Sequence, residues 1–594
     1  MKHLLLGLFL FIQLPYLILA QKDFNYDNGM KWGKYDVGHR KMFGQDTSRT
    51  YDYSLGDSTM GNMKYGRPIL MNIYYPAKKS KGGQKIVIQD LWQFTGNTQM
   101  SHFLKNFQAY ELDMSKKYAI DDNLKLNEFT GDTSSYRTTM DQLFKQYSST
   151  NLFSKDGLEP LSQDLPVVIY HQGLGGTFDE NILMIELLAS HGFLVITSSF
   201  VNSDASWTLG VGDTDASIGD IDFIINYTQS SLSYSNQIFL MGHSFGANTI
   251  FTYPAVGKHR VSGIIPLDSD YGYSYYYHMN EKNAPDLSNQ KNYIDLPIFA
   301  AGRSDAHFRM IDLLDKSNRN FLKVNHFKHN DFCAQTIIGA AQCLPYSTQQ
   351  EQIRSKRLQY QKLNELILTF LKNCLKDNQK NLSSIPLDTN QMILEVVDAG
   401  ERSLMNARFE IGEKKCPTNT QLLDLIELHG IQIAGEEWLN CNELKDTATF
   451  DFEWISIFDA LLHEKTTAHA IQFLEFYVLH RPLDQHLGGF AYFTYEKSFT
   501  DYGDGFHFYK ANQIFKWMTQ NVPNEIEGYK GMIMNKRVEE YHAEAEQKER
   551  LTSELELMCT ALLEQFPNYF NLPVDNDWDE TIQRIVKKNT EKID

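Results

Sequence analysis

The sequence predicts an α/β chain: a mainly parallel β-sheet with helices on both faces, followed by an all-α region of repeat-like character. Three observations carry this. From Arg67 to about Asp377, short apolar runs alternate with stretches of helical length, the pattern of a parallel sheet covered on both faces. Beyond about Pro386 the strand-like runs thin out and apolar residues recur at three-to-four spacing, the period of a helix face. The length of 594 residues exceeds one compact domain and suits roughly two or three.

The elements follow in chain order. "MKHLLLGLFLFIQLPYLILA" has a charged start at Lys2, an apolar stretch from Leu4 to Leu19 and a small residue, Ala20. Residues 1–20 read as a secretory signal peptide; the apolar stretch is short for a span and holds Gln13 and Pro15,. The expected location is therefore secreted or periplasmic. No cysteine follows Ala20 to suggest a lipid anchor, and no later run is apolar enough to cross a membrane. Residues 21–66 read as an N-terminal lead-in and 67–378 as the α/β domain. In it, "PILMNIYYP", "LPVVIYHQG", "FLVITSSF", "QIFLMG", "VSGIIPLD", "LPIFAAG" and "NFLKVNHF" are strand-like, while "NILMIELLASHG" and "ASIGDIDFIINYTQ" have helical length. The polar segment from about Ile86 to Asp164 reads as an insertion of helices and loops. "LKNCLKDNQKNLSS" closes the domain, and residues 390–594 read as a separate helical domain. Its "ARFEIGEKKCP", "AHAIQFLEFYVLHRP", "ANQIFKWMTQNVP" and "LELMCTALLEQFP" stop at Pro417, Pro482, Pro523 and Pro567, where proline lacks an N–H and clashes with the preceding turn.

Charge and cysteine usage narrow the function classes. The formal net charge is −18 with no basic block, a poor match to nucleic acid. Six cysteines in this length do not make a disulfide scaffold, although Cys333 and Cys343, ten apart, suit one bridge in an exported protein. No C-x-x-C or H-E-x-x-H spacing occurs, so no metal and no organic cofactor is expected.

The most informative stretch is "QIFLMGHSFGANTI". Gly242-His243-Ser244-Phe245-Gly246 is a G-x-S-x-G between a strand-like run and a helix-like one, the context of a nucleophile elbow. The glycines let two backbones approach, and the turn lifts the serine hydroxyl above the sheet. A hydroxyl needs a base to take its proton. "NFLKVNHFKHNDF" offers His326 and His329; with Leu322 and Val324 on a strand, His326 falls on it and His329 in the loop beyond, which favours His329. The acid that orients the base is either Asp268, closing "VSGIIPLD", or Asp305, closing "LPIFAAGRSD". Both satisfy the order serine, acid, histidine. The developing oxyanion needs donors. Phe245, after the nucleophile, is one, and Leu174 in the open loop "HQGLGG" is the other.

"LPVVIYHQGLGG", "LLASHGFLVITSSF", "MGHSFGANTI" and "GIIPLDSD" resemble the platelet-activating factor acetylhydrolase group of α/β-hydrolases, related to dienelactone hydrolases. The resemblance spans about Arg67 to Leu371. It implies the α/β-hydrolase fold, Asp268 as the acid, His329 as the base, and Leu174 and Phe245 as oxyanion donors. Gln172 stands where the group usually has histidine, and Asp305 stands where many other α/β-hydrolases keep their acid. The helical region lies outside this resemblance and is distantly similar to tetratricopeptide repeats, with Pro482, Pro523 and Pro567 at a longer period than such repeats use,. The expected function is an exported serine hydrolase cleaving small-molecule or lipid carboxylic esters through an acyl-enzyme. An amidase or peptidase on the same triad, or a non-catalytic binding scaffold, are the rival readings. The helical region is expected to serve protein-partner binding, stability or shielding of the pocket, and "DYGYSYYYHMN" either lines a pocket near Asp268 or is a plain surface loop.

Overall fold

The structure is a computed structural model. It describes residues 29–590 apart from 56–62, 81, 97–99, 162–163, 204–208, 211, 233–235, 270–292, 305, 307, 313, 376–381, 402, 404–421, 423–424, 427–429, 440–457, 459–460, 462–466, 481–505, 524–525, 544 and 572–576. Residues 1–20, Asp305, the "DYGYSYYYHMN" stretch, Pro417 and Pro482 thus lie outside the described residues. The described chain divides into two compact units, one up to residue 407 and one from 408 onward.

The first unit is built on one eleven-stranded sheet. Its strands are β1 (Asp36–Asp52), β2 (Lys64–Ala77), β3 (Gln84–Val87), β4 (Asn151–Asp156), β5 (Val167–His171), β6 (Leu194–Ser198), β7 (Ile238–His243), β8 (Gly263–Leu267), β9 (Ile298–Arg303), β10 (Arg319–Val324) and β11 (Met392–Val397). The spatial order is β11-β10-β9-β8-β7-β5-β6-β2-β1-β4-β3. The stretch from β6 through β5, β7, β8 and β9 to β10 is parallel. β5, β6, β7 and β8 are buried at every position, as strands covered on both faces must be. Helices α1 (Ser101–Lys116), α2 (Tyr136–Ser148), α3 (Ile182–Ser190), α4 (Thr214–Tyr227), α5 (Phe245–Val256), α6 (Ala334–Cys343) and α7 (Gln350–Leu375) surround it. α3, "ILMIELLAS", is buried all round and packs on β2 and β6, while α5 packs on β7 and β8. One apolar core joins Val168, Met241, Ile265 and Leu322 of the sheet to Leu183 and Ile367 of the helices.

Three boundaries differ from those the sequence suggests. The lead-in holds β1, which pairs antiparallel with β2 over most of its length; its buried positions are few and irregularly spaced, which leaves a polar run that does not read as a strand. The polar insertion contributes β3 and β4 besides helices. At the other end β11 pairs antiparallel with β10, so the first unit passes residue 378 and the second does not begin at 390. β11 is the last strand of the sheet; it buries its two ends, Met392 and Val397, and exposes Ile393 and Val396.

In the second unit the described residues from 422 onward lie in helices and the turns between them. These include α8 (Ile431–Leu439), α9 (Thr467–His480), α10 (Phe506–Asn521), α11 (Ile526–His542), α12 (Ala545–Gln565) and α13 (Asp577–Thr590). α10 ends two residues before Pro523 and α12 two before Pro567. Phe473, Leu474, Phe515 and Met518 share one apolar cluster, and Ile533, Leu555, Leu562 and Val586 another. Among the described residues no helix is long and apolar enough to cross a membrane.

Candidate active site

The serine turn shows why its glycines are glycines. A Cβ on Gly242 would meet the Gly246 carbonyl carbon and oxygen at 2.6 Å, and one on Gly246 would meet the His171 carbonyl oxygen at 2.3 Å. Strand β7 and helix α5 therefore close onto each other and onto the end of β5 with no room for a side chain. Ser244 between them adopts φ 54°, ψ −118°, a conformation that side-chain-bearing residues rarely hold and that clusters at functional sites. The Ser244 N–H donates to the Leu267 carbonyl at 2.9 Å. Ser244 is partly exposed while both neighbours are buried.

Ser244 and His329 come together, and so do His329 and Asp268. His329 Nε2 lies 2.7 Å from Ser244 Oγ and His329 Nδ1 2.7 Å from Asp268 Oδ2. A carboxylate only accepts, so Nδ1 carries the proton and Nε2 faces the hydroxyl as an acceptor. Asp268 follows β8, is 1 % exposed and also accepts the Arg303 backbone N–H at 2.9 Å and Arg303 Nε at 3.0 Å. Burial opposes its charge, but His329 and Arg303 outweigh it and hold the carboxyl below its ordinary value. The His329 side chain is 43 % exposed, open to an incoming group. His326 is placed elsewhere: β10 ends at Val324, so His326 lies past the strand rather than on it, exposed and at φ 65°.

His329 opens a short 3-10 turn, His329–Phe332. The buried Asp331 in that turn accepts the Lys328 N–H at 2.5 Å and pairs with Lys356 of α7 at 2.6 Å, which fixes the loop to the body of the unit. A cavity of about 290 Å³ opens beside His329, with Lys125, Asn330, Gln349 and Lys356 in its wall. A cavity of about 360 Å³ near Met30, Leu187 and Gln359 contains none of the reacting groups.

The oxyanion candidates lie on either side of the serine. Phe245 is the first residue of α5, and the first N–H groups of a helix have no intrahelical acceptor. Leu174 follows Gly173, where a Cβ would sit 3.1 Å from Ser244 Cβ, and its side chain is exposed. The turn is closed by the Gly176 N–H on the Gly173 carbonyl at 2.9 Å. Gln172 is buried and donates to the Ser198 carbonyl at 2.9 Å and the Ser199 carbonyl at 3.3 Å, tying the turn to the end of β6. Tyr118, from the turn after α1, reaches the Leu174 carbonyl at 3.5 Å, and Met114 and Tyr110 of α1 lie against Gly175.

Sequence reasoning did not find Arg303, Asp331 or the buried group behind the serine, Glu180, His243 and Cys333. Donor atoms of these three lie within 4.8 Å of one another. By donor type the mixed carboxylate, imidazole and thiol set would suit a borderline ion of the zinc type; each also has a hydrogen-bonding neighbour within the group, with His243 Nδ1 3.3 Å from both Glu180 Oε1 and Cys333 Sγ. Burial works against charge on His243, but Glu180 and Asp268 outweigh it and shift its pKa upward. Burial pushes the Cys333 thiol well up, toward its neutral form. Cys333 and Cys343 are both free: they stand at opposite ends of α6, and ten residues of helix hold them about 15 Å apart, beyond disulfide reach.

A family model described as the alpha/beta hydrolase fold matches residues 166–324, which covers the turn bearing Leu174, the serine elbow, Asp268 and the strand before His329. No curated protein matches the sequence. Solved structures similar to the chain include a ferulic acid esterase from Streptomyces cinnamoneus, at 12% identity over 61% of this chain and 96% of that one with a TM-score of 0.37. Est1E from Butyrivibrio proteoclasticus is similar at 11% identity over 36% of this chain and 90% of that one, with a TM-score of 0.24. The parallel strand order, the serine turn between β7 and α5 and the matched family model make the first unit an α/β-hydrolase fold.

Proposed function

We propose that the chain is an exported serine hydrolase that cleaves carboxylic esters, of the kind exemplified by the platelet-activating factor acetylhydrolase group. The observation that carries the reading is the unbroken chain of 2.7 Å contacts from Ser244 Oγ through His329 to Asp268. Ser244 Oγ attacks the ester carbonyl carbon as His329 Nε2 takes its proton. The Phe245 and Leu174 N–H groups receive the oxyanion. Collapse of the tetrahedral species breaks the C–O bond, and the His329 proton leaves with the alcohol. Water, deprotonated by the same nitrogen, then releases the acid from Ser244. Asp268, ionised throughout the neutral range, orients His329 and offsets the imidazolium charge that forms in each half-reaction. The polar cavity beside His329 suits a substrate with a hydrophilic or charged portion next to its ester.

The test is covalent. A fluorophosphonate probe should label the purified chain at Ser244, and Ser244→Ala should abolish both labelling and hydrolysis of p-nitrophenyl acetate while the protein stays folded; retained turnover would remove Ser244 from the chemistry. Export rests on residues 1–20 alone, and a mature N-terminus near Gln21 on extracytoplasmic protein is the expected finding. The second unit, with its consecutive helices, is proposed as a tetratricopeptide-like surface for a protein partner, supported by the helix stops near Pro523 and Pro567.

A further inference from the structure

Behind the serine, one carboxylate touches both the turn that carries Leu174 and the neighbour of the His329 loop. Glu180 is 4 % exposed. It accepts the Gly173 N–H on its two oxygens at 3.1 and 3.2 Å, and the Tyr170 hydroxyl on Oε1 at 2.6 Å. A Cβ on Gly176 would fall 1.9 Å from Glu180 Oε2, so the carboxylate fills the hollow under the turn and Gly176 leaves it the space. On its other side Glu180 Oε1 lies 3.3 Å from His243 Nδ1. His243 Nε2 donates to the His329 carbonyl at 3.1 Å, and the two imidazole rings stand 4.6 Å apart. The Glu180 backbone carbonyl accepts the Gln335 N–H at 3.0 Å, which ties the segment after the His329 turn to the same residue.

We propose that Glu180 is a positioning residue which, through Gly173 on one side and His243 on the other, holds the oxyanion turn and the His329 loop in register across Ser244. This rests on the ester-hydrolase reading above. The chemistry of the side chain fits the task. The Gly173 N–H and the Tyr170 hydroxyl donate to it, and His243 Nδ1, whose ring already donates from Nε2, donates to it as well in the imidazolium form; a carboxylate accepts from all three with both oxygens,. A glutamine would set its NH₂ against the Gly173 N–H, or, turned the other way, against the Nδ1–H of a His243 imidazolium, and has one oxygen where the carboxylate has two. The turn and the loop carry groups that must stand about 3 Å from the reacting atoms, and a shift of about 1 Å costs on the order of 10²-fold in rate.

The experiment pairs kinetics with hydrogen-exchange mass spectrometry on the full chain. Glu180→Gln should lower kcat on p-nitrophenyl acetate by on the order of 10²-fold with KM changed by less than about twofold. It should also speed exchange in segments 172–176 and 326–333 together while β1 and β2 keep wild-type protection. His243→Gln should loosen 326–333 and leave 172–176 protected. Wild-type kcat in Glu180→Gln, or loosening spread evenly over the unit, would overturn the proposal. So would a wild-type enzyme that loses the same activity to a chelator, which would assign Glu180, His243 and Cys333 to a metal. If Glu180→Gln does not fold, His243→Gln decides, since wild-type kcat and exchange in it would break the link. An inert wild type would end the ester-hydrolase reading, yet the exchange arm would still report whether turn and loop are coupled through Glu180.

Discussion

Replacing Asp268 by asparagine is the sharpest perturbation of the site, because the structure dictates which way the new amide must face. Asp268 Oδ1 accepts the Arg303 backbone N–H at 2.9 Å and Oδ2 faces His329 Nδ1 at 2.7 Å, with Arg303 Nε near both oxygens. An asparagine has one oxygen to offer. Turned toward His329, it would leave its NH₂ against the Arg303 N–H groups in a buried pocket. Turned toward Arg303, it satisfies those donors and presents NH₂ to His329 Nδ1. The second arrangement leaves fewer donors opposed, and it forces the His329 proton onto Nε2, where it points at Ser244 Oγ and cannot accept. The base is then in the wrong tautomer, a loss of about 10⁴-fold in kcat, or about 5.5 kcal/mol of transition-state stabilisation. The assay is kcat and KM for p-nitrophenyl acetate near neutral pH, with fluorophosphonate labelling rates beside them and circular dichroism to establish the fold. KM should change little. An Asp268→Asn enzyme within about tenfold of wild type, or an Asp305→Asn enzyme that loses more, would refute the reasoning and return the acid to Asp305.

Three further outcomes follow from the geometry. Gly246→Ala drives a methyl to 2.3 Å from the His171 carbonyl oxygen, backbone against backbone, so it should lower the urea midpoint by the equivalent of about 1–3 kcal/mol and remove esterase activity; a wild-type midpoint and rate would contradict that packing. The Asp268 carboxyl is held below its usual 3.8, so its ionised form contributes stability that is complete above that value and is withdrawn as pH falls through the lower folded value; the urea-midpoint gap between wild type and Asp268→Asn should therefore narrow on acidification below about pH 4, and a gap that widens there would reverse the sign. A chain ending at 378 lacks β11 and bares the apolar edge of β10, so it should aggregate, whereas a chain ending at 407 should stay soluble and turn over p-nitrophenyl acetate; equal behaviour of the two would make β11 dispensable.

Legibility tracked how local each feature is. Ser244 could be read directly, since the elbow needs only five residues and their flanking strand and helix. The parallel strands were equally plain, because strands buried on both faces leave unbroken apolar runs such as "VVIY" and "IFLM". β1 and β11 were not, since each is only partly buried, without a regular alternation, and mixes polar with apolar residues. The choice between Asp268 and Asp305 is a question of space: both close strands, and Asp268 stands 61 residues from His329 in sequence. Glu180 was hidden for a different reason. In "GGTFDENIL" it looks like a solvated residue ahead of a helix, and nothing in the local pattern says that Tyr170, Gly173 and His243 converge on it.

What brings such distant residues together is the register of the parallel strands. His171 pairs with Gly242, His243 with Leu267, Leu267 with Ala301, and Arg303 with Val324, so β5, β7, β8, β9 and β10 end at one level. The residue or turn that follows each end is then part of the site: the Leu174 turn after β5, Ser244 after β7, Asp268 after β8 and the His329 loop after β10, with Arg303 at the end of β9 steadying Asp268. Ligands of open α/β sheets bind outside these carboxyl ends, and the apolar runs explain why the level is kept. A shift of one residue in β7 against β5 would turn every side chain of a fully buried strand to the opposite layer and carry Gly242 and Gly246 away from the backbone they accommodate. The packing that stabilises the sheet is thus the same constraint that brings Ser244 Oγ within 2.7 Å of His329.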